Sequence, residues 1–148
     1  MTMSPAATPR RAPDSKPPGA FHLVRPLRAK APILFASPHS GSYYPEGMQD
    51  LLRVPLMDLR RTEDAFVDDL FAAAPSLGAP LLHAAYGRAY VDLNRDSREL
   101  DPSMFEDGPP RPCHIGTARV EAGLGCLPRV AARGEPIYAS RLRRRDGA

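Results

Sequence analysis

The stretch that decides the fold is Pro32-Ile33-Leu34-Phe35-Ala36-Ser37-Pro38-His39-Ser40-Gly41. Its first half is apolar without a break, and its second half is a turn of small and polar residues. Continuous apolarity predicts a strand that is buried on both faces, as in a parallel sheet covered by helices. Sites on such sheets lie where the strands open into loops. We therefore expect a strand over residues 32–36 and a candidate site in the loop that holds His39.

The following residues alternate between helical and extended patterns. Residues 57–61 predict a short helical turn, and Thr62 is expected to cap a helix from Glu63 to Ala74, where apolar residues recur at helical spacing. Residues 81–84 and 89–92 predict two further short strands. The order of elements predicts an α/β fold with a mixed, largely parallel central sheet flanked by helices.

Composition restricts the class of protein. The chain has 148 residues, which suits one domain, and its 18 prolines favour short elements over a helical bundle. It has no apolar run near the roughly 20 residues that cross a bilayer, and no apolar secretory signal at its start. Cys113 and Cys126 lack the spacing of a metal or redox pair. We therefore expect a cytoplasmic protein with no membrane partner.

The net charge of +3 does not predict nucleic-acid binding, because it comes from the two ends. Arg10 and Arg11 stand near the start, and several arginines lie within residues 141–145, while the body is roughly neutral. Residues 1–20 are rich in proline and predict a disordered leader. Residues 21–142 predict the folded part, and residues 143–148 predict an aberrant basic tail.

Two positions, one with a histidine and one with two acidic residues, could bind a metal. His39 follows a buried strand between a proline and a glycine, which fix the backbone and clear space beside the imidazole. A lone histidine is nevertheless more often a structural hydrogen-bonding residue. Glu63 and Asp64 could coordinate a metal from the start of a helix, or could simply interact with its positive end. Both interpretations stay open at this point.

A cluster of basic residues indicates an anion site. If residues 88–94 form a strand, then Arg88, Asp92 and Asn94 point to one side, with Arg95 beside them. Arginine binds carboxylates through two parallel hydrogen bonds, and asparagine can orient them. An ordinary charged surface strand explains the pattern equally well. Cys113 next to His114 could in principle be nucleophilic, but the sequence supplies no third residue to orient the pair.

Five segments follow one another in an order that is specific as a set. They are residues 32–41 with Tyr44-Pro45, Arg61-Thr62-Glu63-Asp64-Ala65-Phe66-Val67-Asp68, Arg88-Ala89-Tyr90-Val91-Asp92-Leu93-Asn94-Arg95, Glu99-Leu100-Asp101-Pro102 with Met104-Phe105, and a last group from Arg119 to Tyr138. Together they resemble the N-formylglutamate amidohydrolase family over about residues 21–142. The resemblance implies the α/β fold of zinc carboxypeptidases and aspartoacylases, a phosphorylase/hydrolase-like arrangement.

The resemblance also implies a set of roles. His39 would be a zinc ligand, and the acidic ligand would come from Glu63 or Asp64, with Asp64 favoured. Arg88 would stabilise the oxyanion as the catalytic arginine. Asn94 and Arg95, with Ser40 beside them, would bind the substrate. Zinc-activated water would then hydrolyse N-formyl-L-glutamate, or a related small N-acyl amino acid, to formate and glutamate.

The implied zinc site is incomplete in the sequence. A catalytic zinc site takes three protein ligands, and no residue after His39 and Glu63-Asp64 supplies the third. In the family, the remaining histidine and the acidic general base come from a C-terminal half. We therefore expect a truncated N-terminal portion, for which the alternatives are a catalytically inactive fragment or a module that binds small carboxylates.

Overall fold

The computed structural model describes residues 18–110, 112–114 and 116–143. Most of the predicted leader (residues 1–17) and of the predicted basic tail (residues 144–148) therefore lies outside the described residues. Arg143 is described, and its Nε donates to a Glu106 carboxylate oxygen at 2.8 Å.

A three-stranded sheet carries the candidate site. Its strands are β1 (Phe21–Val24), β2 (Phe35–Ser37) and β3 (Leu81–Ala84), in the spatial order β1-β3-β2. Strand β1 pairs with β3 antiparallel, with His22 opposite His83. Strand β2 pairs with β3 parallel, with Ser37 opposite His83. The predicted mixed α/β class is confirmed, and the described sheet has one pairing of each kind.

The helices are short, as the many prolines predict. Helix α1 spans Glu46–Gln49, α2 spans Leu56–Leu59 and continues into a 3-10 turn over Arg60–Thr62, α3 spans Val67–Leu70, and α4 spans Ala118–Glu121. A second 3-10 turn covers Pro102–Met104. Helices α1 and α2 each start directly after a proline, Pro45 and Pro55. Within the described ranges, none of these helices has the length and apolarity needed to span a bilayer.

Two hydrophobic clusters form the core. The larger one lies between the α1–α2 region and the end of the described chain, and its buried members are Tyr44, Met48, Leu59, Ala89, Ala131 and Ile137. The smaller one consists of Leu100, Met104 and Phe105. Tyr138 packs against both clusters and connects them. The larger cluster holds the segment that contains Ala89, and so positions the residues that follow it.

The predicted helix from Glu63 to Ala74 is wrong. Glu63 has an extended backbone, and Phe66 has a φ of 68°, in the left-handed region, so the helix is limited to Val67–Leu70. The Thr62 hydroxyl does not cap a helix but donates to the Leu59 carbonyl at 2.6 Å. The Asp64 N–H donates to the His39 carbonyl at 3.0 Å, so a tertiary contact replaces the intrahelical bonds.

The predicted strand over residues 89–92 is also wrong, whereas that over 81–84 is confirmed. The Tyr90 and Val91 N–H groups both donate to the Gly87 carbonyl, which makes a turn. The expected burial of the first apolar run on both faces is likewise wrong, because Ile33 and Leu34 are more than half exposed. Apolar residues favour burial, but the four-residue helices supply little surface to cover them.

Candidate metal and substrate site

His39 lies two residues beyond the end of β2, in the loop where the sequence predicts a site. The residue is buried, with only 8% of its surface exposed. Its carbonyl accepts the bond from the Asp64 N–H, and this bond holds the Glu63-Asp64 segment against the loop. The strand end therefore fixes the position of the imidazole, and the hydrogen bond brings the acidic segment to it.

Gly41 allows a close approach of two backbone segments. A Cβ on Gly41 would lie 2.2 Å from the Tyr86 carbonyl oxygen, so only glycine allows this backbone to approach residues 85–86. The approach continues as a parallel bridge between Tyr43 and Tyr86. Gly41 thus extends the β2–β3 pairing beyond the strands.

Asp92 forms a hydrogen bond with the Nε2 atom of the His39 ring. The His39 Nε2 donates to Asp92 Oδ1 at 2.8 Å, and the Asp92 residue is only 2% exposed. The same carboxylate accepts bonds from Arg88 Nη2 at 2.9 Å and from the Asn94 N–H at 2.9 Å. The Asp92 N–H donates to the Cys126 carbonyl at 2.8 Å, which anchors the residue to the loop after α4. Asp92 is therefore the buried centre of the site.

The surroundings of Asp92 decide its charge. Burial acts to raise the pKa of this carboxyl, but the bonds from His39 and Asn94 and the charge of Arg88 outweigh it, and the pKa falls below the usual 3.8. An ionised carboxylate only accepts hydrogen bonds, so the His39 proton lies on Nε2. In the neutral imidazole, the lone pair is then on Nδ1.

The Nδ1 atom of His39 lies 3.3 Å from Asp64 Oδ2. Two acceptors at this distance need a cation or a proton between them, so the pair either binds a metal or contains a protonated imidazole. Zinc–ligand bonds of about 2.1 Å at tetrahedral angles separate two ligand atoms by about 3.4 Å. The nitrogen and oxygen donors, their spacing and the carboxylate behind the histidine fit two positions of a zinc site. The Asp64 side chain is 52% exposed and accessible to a metal.

Glu63 points away from this pair. Its side chain is only 3% exposed, and its Oε1 lies 3.8 Å from Arg60 Nε. Burial raises the pKa of the neighbouring Tyr44 phenol, and the Glu63 charge raises it further. The structure therefore brings Asp64, and not Glu63, to His39. Across the described ranges, no three His, Cys, Asp or Glu side chains gather in a group that could hold a metal ion.

A cavity of about 310 Å³ lies beside Asp92, which forms part of its lining. Its polar lining comes from Arg61, Thr62, Arg88 and Asp92. Its apolar lining comes from Ala89, Leu124, Pro128, Val130, Ala131 and Ala132. The predicted catalytic Arg88 therefore both contacts Asp92 and lines a space of the right size for a small molecule.

The other predicted substrate residues are outside the cavity lining, and two of them, Asn94 and Arg95, contact residues that line it. Arg95 donates from Nε to the Leu124 carbonyl at 3.3 Å and from Nη1 to the Asn94 carbonyl at 3.1 Å. Its Nε is also 3.9 Å from Asp92 Oδ2. The Ser40 hydroxyl donates to the Ser37 carbonyl at 3.3 Å, within its own loop. Asn94 contributes its backbone N–H to Asp92, and is otherwise at the exposed surface.

Comparison with known families assigns the chain. A family model described as N-formylglutamate amidohydrolase matches residues 31–148. The chain belongs to the N-formylglutamate amidohydrolase family. This confirms the family that the five ordered segments indicated.

A solved structure of the same family resembles this one. The crystal structure of N-formylglutamate amidohydrolase from Ralstonia eutropha JMP134 is 35% identical in sequence and superposes with a TM-score of 0.73. The likeness covers 84% of this chain and 43% of the Ralstonia chain, so this chain spans less than half the length of that relative. Comparison with curated proteins finds no match.

Sequence reasoning left two functional positions of this amidohydrolase family member unassigned. Asp92 was grouped with the anion-binding residues, but the structure makes it the partner of His39, which lies 53 residues earlier. Arg61 was quoted only as part of a segment, yet it lines the cavity. The sequence feature that could have pointed to both residues is their position within the ordered segments that resemble the family.

Proposed function

We propose that this chain supplies part of a zinc-dependent amidohydrolase site that cleaves N-formyl-L-glutamate, or a related small N-acyl amino acid, to formate and the free amino acid. One observation carries the proposal: His39 is held at Nε2 by buried Asp92 and presents Nδ1 to Asp64 at 3.3 Å. Family membership supports the reaction class. The zinc-peptidase type of fold and a cytoplasmic location belong to the same proposal.

In this proposal, His39 Nδ1 and an Asp64 oxygen hold the zinc ion. Zinc, when bound in such a site, is a Lewis acid that activates water toward an amide carbonyl. Asp92 keeps the imidazole in the tautomer that can bind a metal, as carboxylate partners of metal-binding histidines do. The described residues supply two zinc ligands, so residues outside the described ranges or solvent would complete the coordination.

Arg88 is proposed to stabilise the negative charge that develops on the scissile carbonyl oxygen. A guanidinium has five N–H donors, and the bond to Asp92 Oδ2 uses one of them. This bond fixes the direction of the side chain, whereas the remaining donors can serve a ligand in the cavity. A donor held in place before the reaction stabilises charge without reorganising. Ser40, Asn94 and Arg95 remain proposed substrate-binding residues beside it.

Release of formate tests the proposed reaction. We would assay the chain with equimolar zinc and N-formyl-L-glutamate, and compare it with His39→Ala and His22→Ala. His22 is exposed on β1, where its ring stacks on that of His83 with 4.9 Å between the ring centroids. It is therefore a matched control histidine outside the site. We expect zinc-dependent formate release that His39→Ala abolishes and His22→Ala preserves. Equal rates in the wild type and His39→Ala would refute the proposal.

The second candidate function is the binding of a small carboxylate without hydrolysis. With two candidate ligands together in the described chain, the cavity can bind a small carboxylate without any metal. Calorimetry with N-formyl-L-glutamate in the presence of zinc and of a chelator separates the two functions. Equal affinity in both conditions, without formate release, would favour a binding module, and zinc-dependent turnover would exclude it.

A further inference from the structure

We infer that Arg61 is a specificity residue that binds the side-chain carboxylate of an acidic N-acyl amino acid in the cavity that Arg88 also lines. This inference rests on the proposed function for the class of ligand, and it deepens that function by assigning the selection of an acidic side chain. Arg61 and Arg88 come from separate segments, the 3-10 turn after α2 and the turn after β3, and both line the cavity of about 310 Å³.

The two arginines differ in how their charge is used. Arg88 is bound to Asp92 at 2.9 Å, and its side chain is 27% exposed. Arg61 is 57% exposed, and its Nη1 lies 3.5 Å from Asp58 Oδ1, a long contact between two solvated groups. Contacts of this kind contribute little energy, so a ligand carboxylate can compete for the guanidinium. Arg61 therefore supplies positive charge that the site itself leaves largely available.

The charges of the lining leave one guanidinium available for a ligand carboxylate. The lining holds two guanidinium groups and one carboxylate. That carboxylate, Asp92, already accepts bonds from His39, Arg88 and the Asn94 N–H. Asp92 is thus satisfied within the protein, whereas Arg61 has no comparably short partner among the hydrogen bonds of the described residues. A carboxylate on the ligand side chain complements this available guanidinium better than a neutral group does.

The rest of the cavity suits the rest of such a ligand. Most of the other lining residues are apolar, among them Ala89, Leu124 and Val130. A short chain of methylene groups would contact these walls while a carboxylate at its end reaches Arg61. Thr62, next to Arg61, is fixed by its own 2.6 Å bond to the Leu59 carbonyl, so the backbone that carries Arg61 is anchored to the core.

Arg95 is the alternative residue for this role, and its contacts argue against it. Its Nε and Nη1 already donate to the Leu124 and Asn94 carbonyls, and the residue is outside the lining set. Binding a ligand in this cavity through Arg95 would break these bonds first. Arg61 requires only the displacement of water and of a weak contact to Asp58.

Calorimetric binding to the 148-residue chain tests the inference without requiring turnover. The two ligands are N-formyl-L-glutamate and its isostere N-formyl-L-glutamine, which keeps the α-carboxylate; according to their side chains, they are the acidic and the neutral ligand. The variants are Arg61→Gln and the control Arg119→Gln. Arg119 has a similar exposure (61%), and its ion pair to Glu99 is also long. Arg119 is outside the cavity lining.

We expect the wild type and Arg119→Gln to bind the acidic ligand about 10- to 100-fold more tightly than the neutral one, as the loss of one charge-assisted hydrogen bond implies. In Arg61→Gln this preference should disappear while affinity for the neutral ligand is kept. Equal binding of both ligands to the wild type, an unchanged preference in Arg61→Gln, or no binding of either ligand would overturn the inference.

The formate assay separates this inference from the proposed function. Loss of the acidic preference in Arg61→Gln, without formate release by any form, would leave the specificity role intact and remove the hydrolase function. Zinc-dependent formate release at the same kcat/KM from both ligands, unchanged in Arg61→Gln, would leave the hydrolase function and remove the specificity role.

Discussion

Asp92 is the residue on which the candidate site depends most, because its carboxylate joins a histidine, an arginine and a backbone N–H in one buried position. Its effect on His39 is indirect. It does not contact a metal in our proposal, but it determines which imidazole nitrogen carries the proton. Removing its charge should therefore change metal binding more than it changes the fold.

The first prediction concerns Asp92→Asn. An amide can present either an oxygen or an NH₂ group to His39, so the tautomer is no longer enforced. We expect zinc affinity to fall about 10- to 100-fold, as is typical when a carboxylate partner of a metal-bound histidine is changed. Competition with a chromophoric chelator measures this. Asp96→Asn is the control, because Asp96 lies in the same loop and its carboxylate accepts hydrogen bonds from Arg98, away from His39. Equal affinity in the two variants would contradict the role of Asp92.

The second prediction separates the two acidic candidates. Asp64→Asn changes an exposed oxygen 3.3 Å from His39 Nδ1, so it should weaken zinc binding and leave thermal stability nearly unchanged. Glu63→Gln changes a buried group beside Arg60 and Tyr44, so it should lower stability and leave zinc affinity unchanged. Thermal unfolding and zinc titration on both variants provide the test. The reverse pattern would make Glu63 the ligand.

How far the sequence predicts the site differs from residue to residue. His39 was placed correctly at a strand end, because a continuous apolar run followed by Ser-Pro-His-Ser-Gly is a local pattern. The meeting of His39 with Asp92 depends on a hydrogen bond across 53 residues, which no local pattern contains. The sequence predicted the basic cluster on a strand, but this segment forms a turn in the structure. Arg88 nevertheless lines the cavity.

At the scale of elements, local preference and tertiary contact disagree over residues 63–74. The spacing of apolar residues predicted one long helix, but the bond from the Asp64 N–H to His39 and the positive φ of Phe66 restrict it to one turn. The strand over 81–84 was predicted correctly because it pairs on both sides and needs no special turn. Among the segments that carry the site, local reasoning thus found the strand before His39 and missed the structure around Asp64 and Arg88.

A pair of glycines provides the third prediction. Gly41→Ala would place a Cβ 2.2 Å from the Tyr86 carbonyl oxygen and force the β2–β3 extension apart. Gly47 lies in α1, and a Cβ there meets nothing within 4 Å. We expect Gly41→Ala to destabilise the fold by about 1–3 kcal/mol and Gly47→Ala to stabilise it by up to about 1 kcal/mol. Chemical denaturation measures both, and similar values for the two variants would contradict the close approach.

The fourth prediction concerns pH and the 3-10 turn Pro102–Met104. Burial acts to raise the pKa of the Asp101 carboxyl, but the bonds from Ser103 and Arg129 outweigh it, so the pKa lies below the usual 3.8. A lowered folded-state pKa means that the charged group stabilises the fold above the unfolded pKa, and that this stabilisation is lost as the pH falls through the folded pKa. Asp101→Asn should therefore cost about 1 kcal/mol at pH 7 and clearly less at pH 3.

Urea unfolding at pH 7, 5 and 3 checks this effect, with Asp107→Asn as an exposed control a few residues away. The difference between wild type and Asp101→Asn should shrink between pH 5 and pH 3, whereas that for Asp107→Asn should stay near zero. A difference for Asp101→Asn that is constant across this range would show that its contacts do not depend on the charge.

For the whole molecule, the distribution of apolar residues is uneven. Leu59 and Ile137 are fully buried in the larger cluster. In contrast, every residue of β1 is exposed, as are large side chains on and after α3, notably Leu70 at 78% and Leu77 at 71%. The sequence predicted which residues are apolar, but not which of them would be covered, because coverage depends on how the short elements are arranged. Exposed apolar surface of this kind promotes association.

The last prediction follows from this contrast. We expect the purified chain to self-associate at micromolar concentration, and the double variant Leu70→Gln, Leu77→Gln to associate less without a loss of thermal stability, because both side chains already face solvent. Leu59→Ala is the matched comparison at a buried leucine, and should cost about 2–5 kcal/mol. Sedimentation velocity and thermal unfolding on the three proteins measure both effects. A wild-type chain that stays monomeric throughout, or a double variant as destabilised as Leu59→Ala, would show that these leucines are covered in solution.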